Sequence, residues 1–318
     1  MTRVARDAAD WERVSLPTDA DLVAVTATRT GAVAVGEDGT VVARESEGWT
    51  TLVGVGPTAA GNDLTGVAAT DCGRRVWFVG GSGAIGSYDL TSGRKHDYTA
   101  PMEKTSTWEA VAVAGEAGGE RLLLANGSGE LLSATVGESG APIWDDPVKP
   151  GTGSTIPAVA LGPLGGVACD TSGHVFRFVA DEWRQIGVRN AEVDFFDVAV
   201  GDDRLWVAGD DGLCYRYDPG RENWTPVAVG EETLRGLAWR DASGTSHGAS
   251  GRLAVVGDSG TVAWRDTTAD WTQEADVTDE DLRAVALGPV DVAVGDAVLE
   301  RVVSGTGRRD QPRRGGDR

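Results

Sequence analysis

Seven times along the chain an apolar run stops at a tight polar turn and is answered by a second apolar run: VAVGEDGTVV, VWFVGGSGAI, LLLANGSGEL, GVACDTSGHV, LWVAGDDGLC, LAVVGDSGTV and VDVAVGDAVL. The turn glycines Gly39, Gly83, Gly129, Gly173, Gly212 and Gly260 follow one another at steps of 44, 46, 44, 39 and 48 residues. A period of that length, made of short strands and glycine turns, predicts one four-stranded propeller blade per copy. The expected fold is therefore all-β, a seven-bladed β-propeller of four-stranded antiparallel blades. The residues entering the turns are Gly36, Gly80, Asn126, Asp170, Gly209, Gly257 and Gly295. These are the types that best tolerate positive φ, and the turns are expected to use it.

Upstream of each turn runs a second repeated stretch: LVAVTA from Leu22, LTGVAA from Leu64, WEAVAV from Trp108, IPAVAL from Ile156, FFDVAV from Phe195, LRGLAW from Leu234 and LRAVAL from Leu282. Its fourth place is Val or Leu throughout and its fifth almost always Ala, as expected of an innermost strand crowded around a central axis. Asp197 is the one acidic residue at the third place. Downstream of each turn a tryptophan opens an outer strand, at Trp49, Trp144, Trp183, Trp224 and Trp271, while the second copy offers His96 and Tyr98 instead. These aromatics are expected to pack between blades. The seventh copy ends near Val303 without an outer strand, and WERVSL, Trp11 to Leu16, has the character of the missing piece. The N-terminus is thus expected to pair onto the last blade and close the ring, removing exposed edges. The expected organisation is one propeller domain over 1–304, with 11–16 as the outer strand of the last blade, and a disordered Arg/Gly-rich tail over 305–318.

The chain carries 49 acidic against 29 basic residues, a formal charge of −20, and its lysines are Lys95, Lys104 and Lys149 alone. Such an acid-rich, lysine-poor composition resembles that of proteins from extreme halophiles. In molar salt the Debye length is about 3 Å, and self-repulsion is largely screened. The same charge argues against nucleic-acid binding by the ring, because phosphate contacts need a basic surface. The exception is the tail, where Arg308, Arg309, Arg313, Arg314 and Arg318 form an arm suited to RNA or an acidic partner. Cys72, Cys169 and Cys214 lie in different copies with no CxxC spacing, and read as reduced thiols in a cytoplasmic protein. MTRVARDAADW lacks an apolar signal core and no stretch has membrane-spanning length, so no membrane association is expected.

In a propeller the turn after the second strand and the loop entering the first lie on one face. That places Glu37, Asp38, Asp170, Asp210, Asp211, Asp258 and Asp296 on one end of the ring, with His174 beside a turn. Glu109, Arg235 and Arg283, at the second place of their inner strands, belong near the same end. Glu109, His174, Asp197, Arg235 and Arg283 are the candidate ligand- or partner-binding residues. No cofactor is expected, and Asp38, Asp170, Asp210, Asp211 and Asp258 are the residues that would hold a divalent cation if one were bound. Asp is also simply a good turn former. There is no GxSxG elbow, P-loop or HExxH, and no acid pair stands out as a catalytic dyad.

The unit of inner strand, AVG-x-x-G turn, third strand and Trp-led fourth strand, as in LRGLAW…LAVVGDSGTVAWRDTTADW, resembles the BNR and YVTN-type WD-like propellers, particularly the photosystem II stability and assembly factor-like group. The resemblance runs from Trp11 to about Val303 and implies a non-enzymatic assembly or interaction platform, with protein partners on the turn-bearing face or the rim. Some related propellers are sialidases whose repeats carry the Asp box S-x-D-x-G-x-T-W. Here RESEGW, DPGRENW and DTTADW keep an acid and the tryptophan but not the full box, and Tyr88, Tyr98, Tyr215 and Tyr217 fall on repeat strands. A hydrolase or lyase acting on a small polar or sugar ligand at the channel mouth is therefore the alternative to the scaffold.

Overall fold

A computed structural model describes residues 11–302, apart from 59, 138–139, 189–191, 202–203, 242–250, 267–269 and 276. The described strands form seven four-stranded antiparallel sheets. The first six blades are contiguous, as in the first: Leu22–Ala27, Ala32–Gly36, Val41–Glu45 and Gly48–Val53. The seventh takes Leu282–Ala286, Val290–Gly295 and Val298–Val302 from the end of the chain and Glu12–Arg13 from its beginning. Glu12 pairs with Glu300 and Arg13 with Leu299, and the Val14 amide donates to the Val298 carbonyl at 3.0 Å. The closing strand is where the sequence places it, though shorter than Trp11 to Leu16. The tail over 305–318 lies outside the described residues.

The blades hold together because both faces of each sheet are apolar. In the third blade Leu122 and Leu124 pack toward the second, whereas Leu123 and Ala125, one residue out of step, pack toward the fourth. This is the period-2 alternation of a strand buried on both sides, and explains why the second strands read as unbroken apolar runs. The core accordingly divides into seven clusters, each shared by two adjacent blades. The last of them joins Leu22, Ala32, Ala34 and Val42 of the first blade to Val292, Val294 and Val298 of the seventh.

Each outer-strand tryptophan packs against the cluster shared with the preceding blade: Trp49, Trp144, Trp183, Trp224 and Trp271, and Trp11 on the closing strand. Trp11 stacks on Trp264 with centroids 5.7 Å apart. The second blade differs from the sequence expectation. Tyr98 stacks on Trp77 at 5.3 Å and its hydroxyl donates to the Gly140 carbonyl at 2.7 Å, which turns it toward the third blade. The interface with the first blade is completed instead by Tyr88 and Leu90.

The turn-entering residues also behave differently from expectation. Gly36, Gly80 and Gly257 have φ of −171°, 179° and −169°, ordinary extended backbone. Glycine is required there by space: a β-carbon at Gly36 would lie 1.8 Å from the Asp21 carbonyl oxygen, which accepts the Glu37 amide. Where Asn126 and Asp170 stand instead, their side chains cap their own turns, Asn126 accepting from Ser128 and Glu130, and Asp170 from Ser172 and His174. Positive φ falls on the turn glycines and, in three turns, on the residue before them, Asp38, Ser82 and Ser259. Gly260, at φ 67°, combines it with an approach to the Thr278 carbonyl that no β-carbon could share.

Truncating the closing aromatic, Trp11→Ala, is expected to lower unfolding free energy by about 2 kcal/mol, less than loss of a fully buried tryptophan. W11F should recover most of it. Denaturant titration of the two variants checks this.

Candidate functional site at the channel mouth

The inner strands enter the ring through a repeated irregularity. Register shifts between the first and third residues of the strand in six blades, at Leu22/Ala24, Leu64/Gly66, Trp108/Ala110, Phe195/Asp197, Leu234/Gly236 and Leu282/Ala284. The bulged second residue is left out of the ladder, which re-aims its side chain. Residues at this place from six blades, Thr65, Glu109, Pro157, Phe196, Arg235 and Arg283, line a central cavity of about 250 Å³ together with Val23 of the first.

The structure thus brings Glu109, Asp197, Arg235 and Arg283 to the lining of one cavity. Burial pushes the Glu109 carboxyl up from its ordinary range. Arg235 makes a two-pronged ion pair with Asp258, at 2.8 and 2.9 Å, and its guanidinium lies 4.5 Å from the centre of the Phe196 ring. The pair raises the arginine and lowers the aspartate from their usual pKa values. Arg283 reaches Asp296 at 3.2 Å, both half exposed. Phe196, Thr65 and Pro157 are lining residues that sequence reasoning did not single out. Reading down the second column of the repeat, rather than selecting its charged members, finds them.

Asp197 occupies the place where the other blades carry Ala or Gly because inner strands nearly touch there. At Gly236 a β-carbon would meet the Ala284 Cα at 2.8 Å. The Asp197 carboxylate fills this contact between the fifth and sixth blades, accepting the Val198 amide on Oδ1 and the Leu237 amide on Oδ2, each at 2.7 Å. Enclosure by the ring, only partly offset by those two amides, raises its pKa to about 7.

His174 is not at the cavity. Its Nδ1 lies 3.0 Å from Asp170 Oδ2, and Asp170 is buried within its own turn. The proposed cation ligands are likewise spread around the ring and mostly engaged: Asp170 with His174, Asp258 with Arg235, and Asp211 with the Leu213 amide and the Tyr215 hydroxyl. Asp38 is held through its backbone amide by Asp63, and the Asp210 amide by the Asp194 carbonyl. Among the described residues no three His, Cys, Asp or Glu side chains converge as a metal-binding group. Cys169 and Cys214 are buried free thiols whose pKa values burial drives upward, so neither is a thiolate nucleophile at neutral pH. Burial likewise raises Tyr98, Tyr215 and Tyr217, none of which lines the cavity. Among the described residues no helix is long and apolar enough to cross a membrane.

Seven sheets around a lined axis define a seven-bladed β-propeller. Two solved structures share the architecture: YCF48 bound to D1 peptide, with a TM-score of 0.71 at 17% identity over 94% of this chain and 97% of that one, and the WD40 β-propeller domain of Doa1, with 0.68 at 14% over 93% and 98%. No protein-family model and no curated protein sequence matches the chain.

The Asp197 carboxyl, enclosed at the cavity, has a pH signature. Asp197 keeps its proton to about pH 7 when folded but releases it near 3.8 when unfolded. Between those values the unfolded state binds fewer protons, so the group makes the protein less stable as pH rises from about 4 to about 7. The stability of the wild type relative to D197N is expected to fall by a few kcal/mol across that interval, measured by paired denaturant titrations.

Proposed function

We propose that this propeller is a non-enzymatic scaffold whose protein partners dock on the turn-bearing face around the channel mouth. The observation that carries the reading is the second-place ring. The fold makes the same demand at seven equivalent positions, yet they hold Val23, Thr65, Glu109, Pro157, Phe196, Arg235 and Arg283. Neighbouring columns keep their Val and Ala, so this variety is not required by packing and is the variety a recognition surface needs. Arg235, oriented by Asp258 over the Phe196 ring, is an anchor of the kind that dominates protein interfaces. A protein of this fold, YCF48, binds a D1 peptide.

One observation favours the enzyme alternative: Asp197, with a pKa of about 7, has the proton affinity of a general acid or base. Its two backbone hydrogen bonds give it a sufficient structural role, and the scaffold is preferred. Association of RNA or an acidic partner with the Arg-rich tail falls on residues outside those described. The acidic composition suits a cytoplasm rich in salt.

Affinity purification of the tagged protein at high salt is expected to retain a stoichiometric protein partner. Arg235→Ala with Arg283→Ala should weaken that retention at least about tenfold while the ring still melts cooperatively. A partner held equally by the double variant would move the docking surface elsewhere, and activity in a hydrolase and lyase panel that is lost in D197N would replace the scaffold with the enzyme. The melting temperature is expected to climb as KCl is raised from about 0.1 to about 1 M, over which the Debye length falls from about 10 to about 3 Å.

A further inference from the structure

The outer rim between the fifth and sixth blades carries a second, different site. Arg216 on Leu213–Asp218 and Arg265 on Val262–Asp266 both lie over the ring of Trp206, their guanidinium carbons 6.0 and 5.4 Å from its centre. Trp206 is itself buried, with Trp271 edge-on at 6.4 Å. The other arginines that lie over rings have a carboxylate to neutralise them: Arg235 has Asp258, Arg252 has Asp266, and Arg301 has Asp291 and Glu274. Arg216 and Arg265 form no ion pair with a described residue. Their charges repel each other, and burial first, then Arg216, hold Arg265 below its usual pKa against the opposing pull of exposed Asp270, with a smaller push from Arg204.

In a chain of net charge −20 these two neighbouring arginines share their groove with one exposed carboxylate, Asp270, which pulls on Arg265 without forming an ion pair with it. The Arg265 Nε–H and the Trp271 Nε1–H are buried and without a hydrogen-bond partner. Both residues line an open groove with Arg216, Asp270, Thr225, Val227 and Gln273. Desolvated like charges and orphaned donors cost stability, and an anion bound between them would offset that cost.

We propose that this rim groove is an oxyanion-binding site, in which the guanidinium groups of Arg216 and Arg265 and the indole N–H of Trp271 hold a single carboxylate or phosphate group. Guanidinium presents paired N–H donors that match either oxyanion. The groove lies on outer strands, away from the channel, so the site does not rest on the reading of the mouth.

Calorimetric titration of the whole protein with succinate, and separately with inorganic phosphate, tests it at constant chloride. Binding is expected for at least one probe, weakened about tenfold or more in Arg216→Gln and in Arg265→Met. Preference for succinate assigns the site to carboxylates, and preference for phosphate to phosphate groups. Arg265→Met keeps the apolar stem over Trp206 while removing the charge, so without ligand it should melt no lower than the wild type. A merely structural arginine would melt lower. Binding of both probes weaker than about 10 mM in the wild type, or binding unchanged in both variants, would overturn the proposal.

Discussion

Every blade of this chain is apolar on both faces, so none can stand alone; the ring exists because each sheet needs two neighbours. The seven two-blade clusters are the physical expression of that need. It reaches the ends of the described chain. The last blade lacks an outer strand of its own, and without Glu12–Arg13 the strand Val298–Val302 would present an open edge. Trp11, seated against Trp264, repeats on the closing strand the wedge that the other outer strands supply from within.

The interfaces are not equal in polarity. Glu300 on the seventh blade accepts Arg44 at 2.7 Å and the Trp49 indole from the first, while Asp291, wholly buried, takes Arg301 of its own blade and Arg240 of the sixth. Away from this seam, Glu120 on the third blade is buried against Arg75 of the second at 2.8 Å. Buried pairs add little net stability after desolvation, but losing one partner leaves the other charge uncompensated. Their concentration where the two ends of the ring meet penalises misregistered closure most heavily there.

The same crowding that closes the ring creates its site. Inner strands packed this tightly around an axis leave room only for small third-place residues, and the repeated bulge expels the second-place side chain into the cavity. The structural columns are therefore uniform and the cavity column is varied. Asp197 stands at the boundary between the two, a carboxyl placed in a structural column and held there by two amides at the expense of its ionisation.

The sequence by itself determined the number of blades, their strand order and the closing role of the N-terminal strand, because each follows from local periodicity and the position of a residue within its repeat. It also identified which tryptophans wedge between blades, but not that Tyr88 and Leu90 stand in for one in the second. Contacts between residues far apart in the chain were invisible to it. Only the tertiary structure decided that the turn-entering Gly36, Gly80, Gly257 and Gly295 answer to a neighbouring carbonyl rather than to positive φ, and that Asp170 and Asp211 are engaged within their own turns while Asp258 and Asp296 pair with inner-strand arginines. It alone placed Arg216 and Arg265, 49 positions apart, over one tryptophan, neither in an ion pair with a described residue. Periodicity specifies a repeated backbone; desolvation and pairing depend on what the neighbouring blade brings, and that is settled only once the ring has closed.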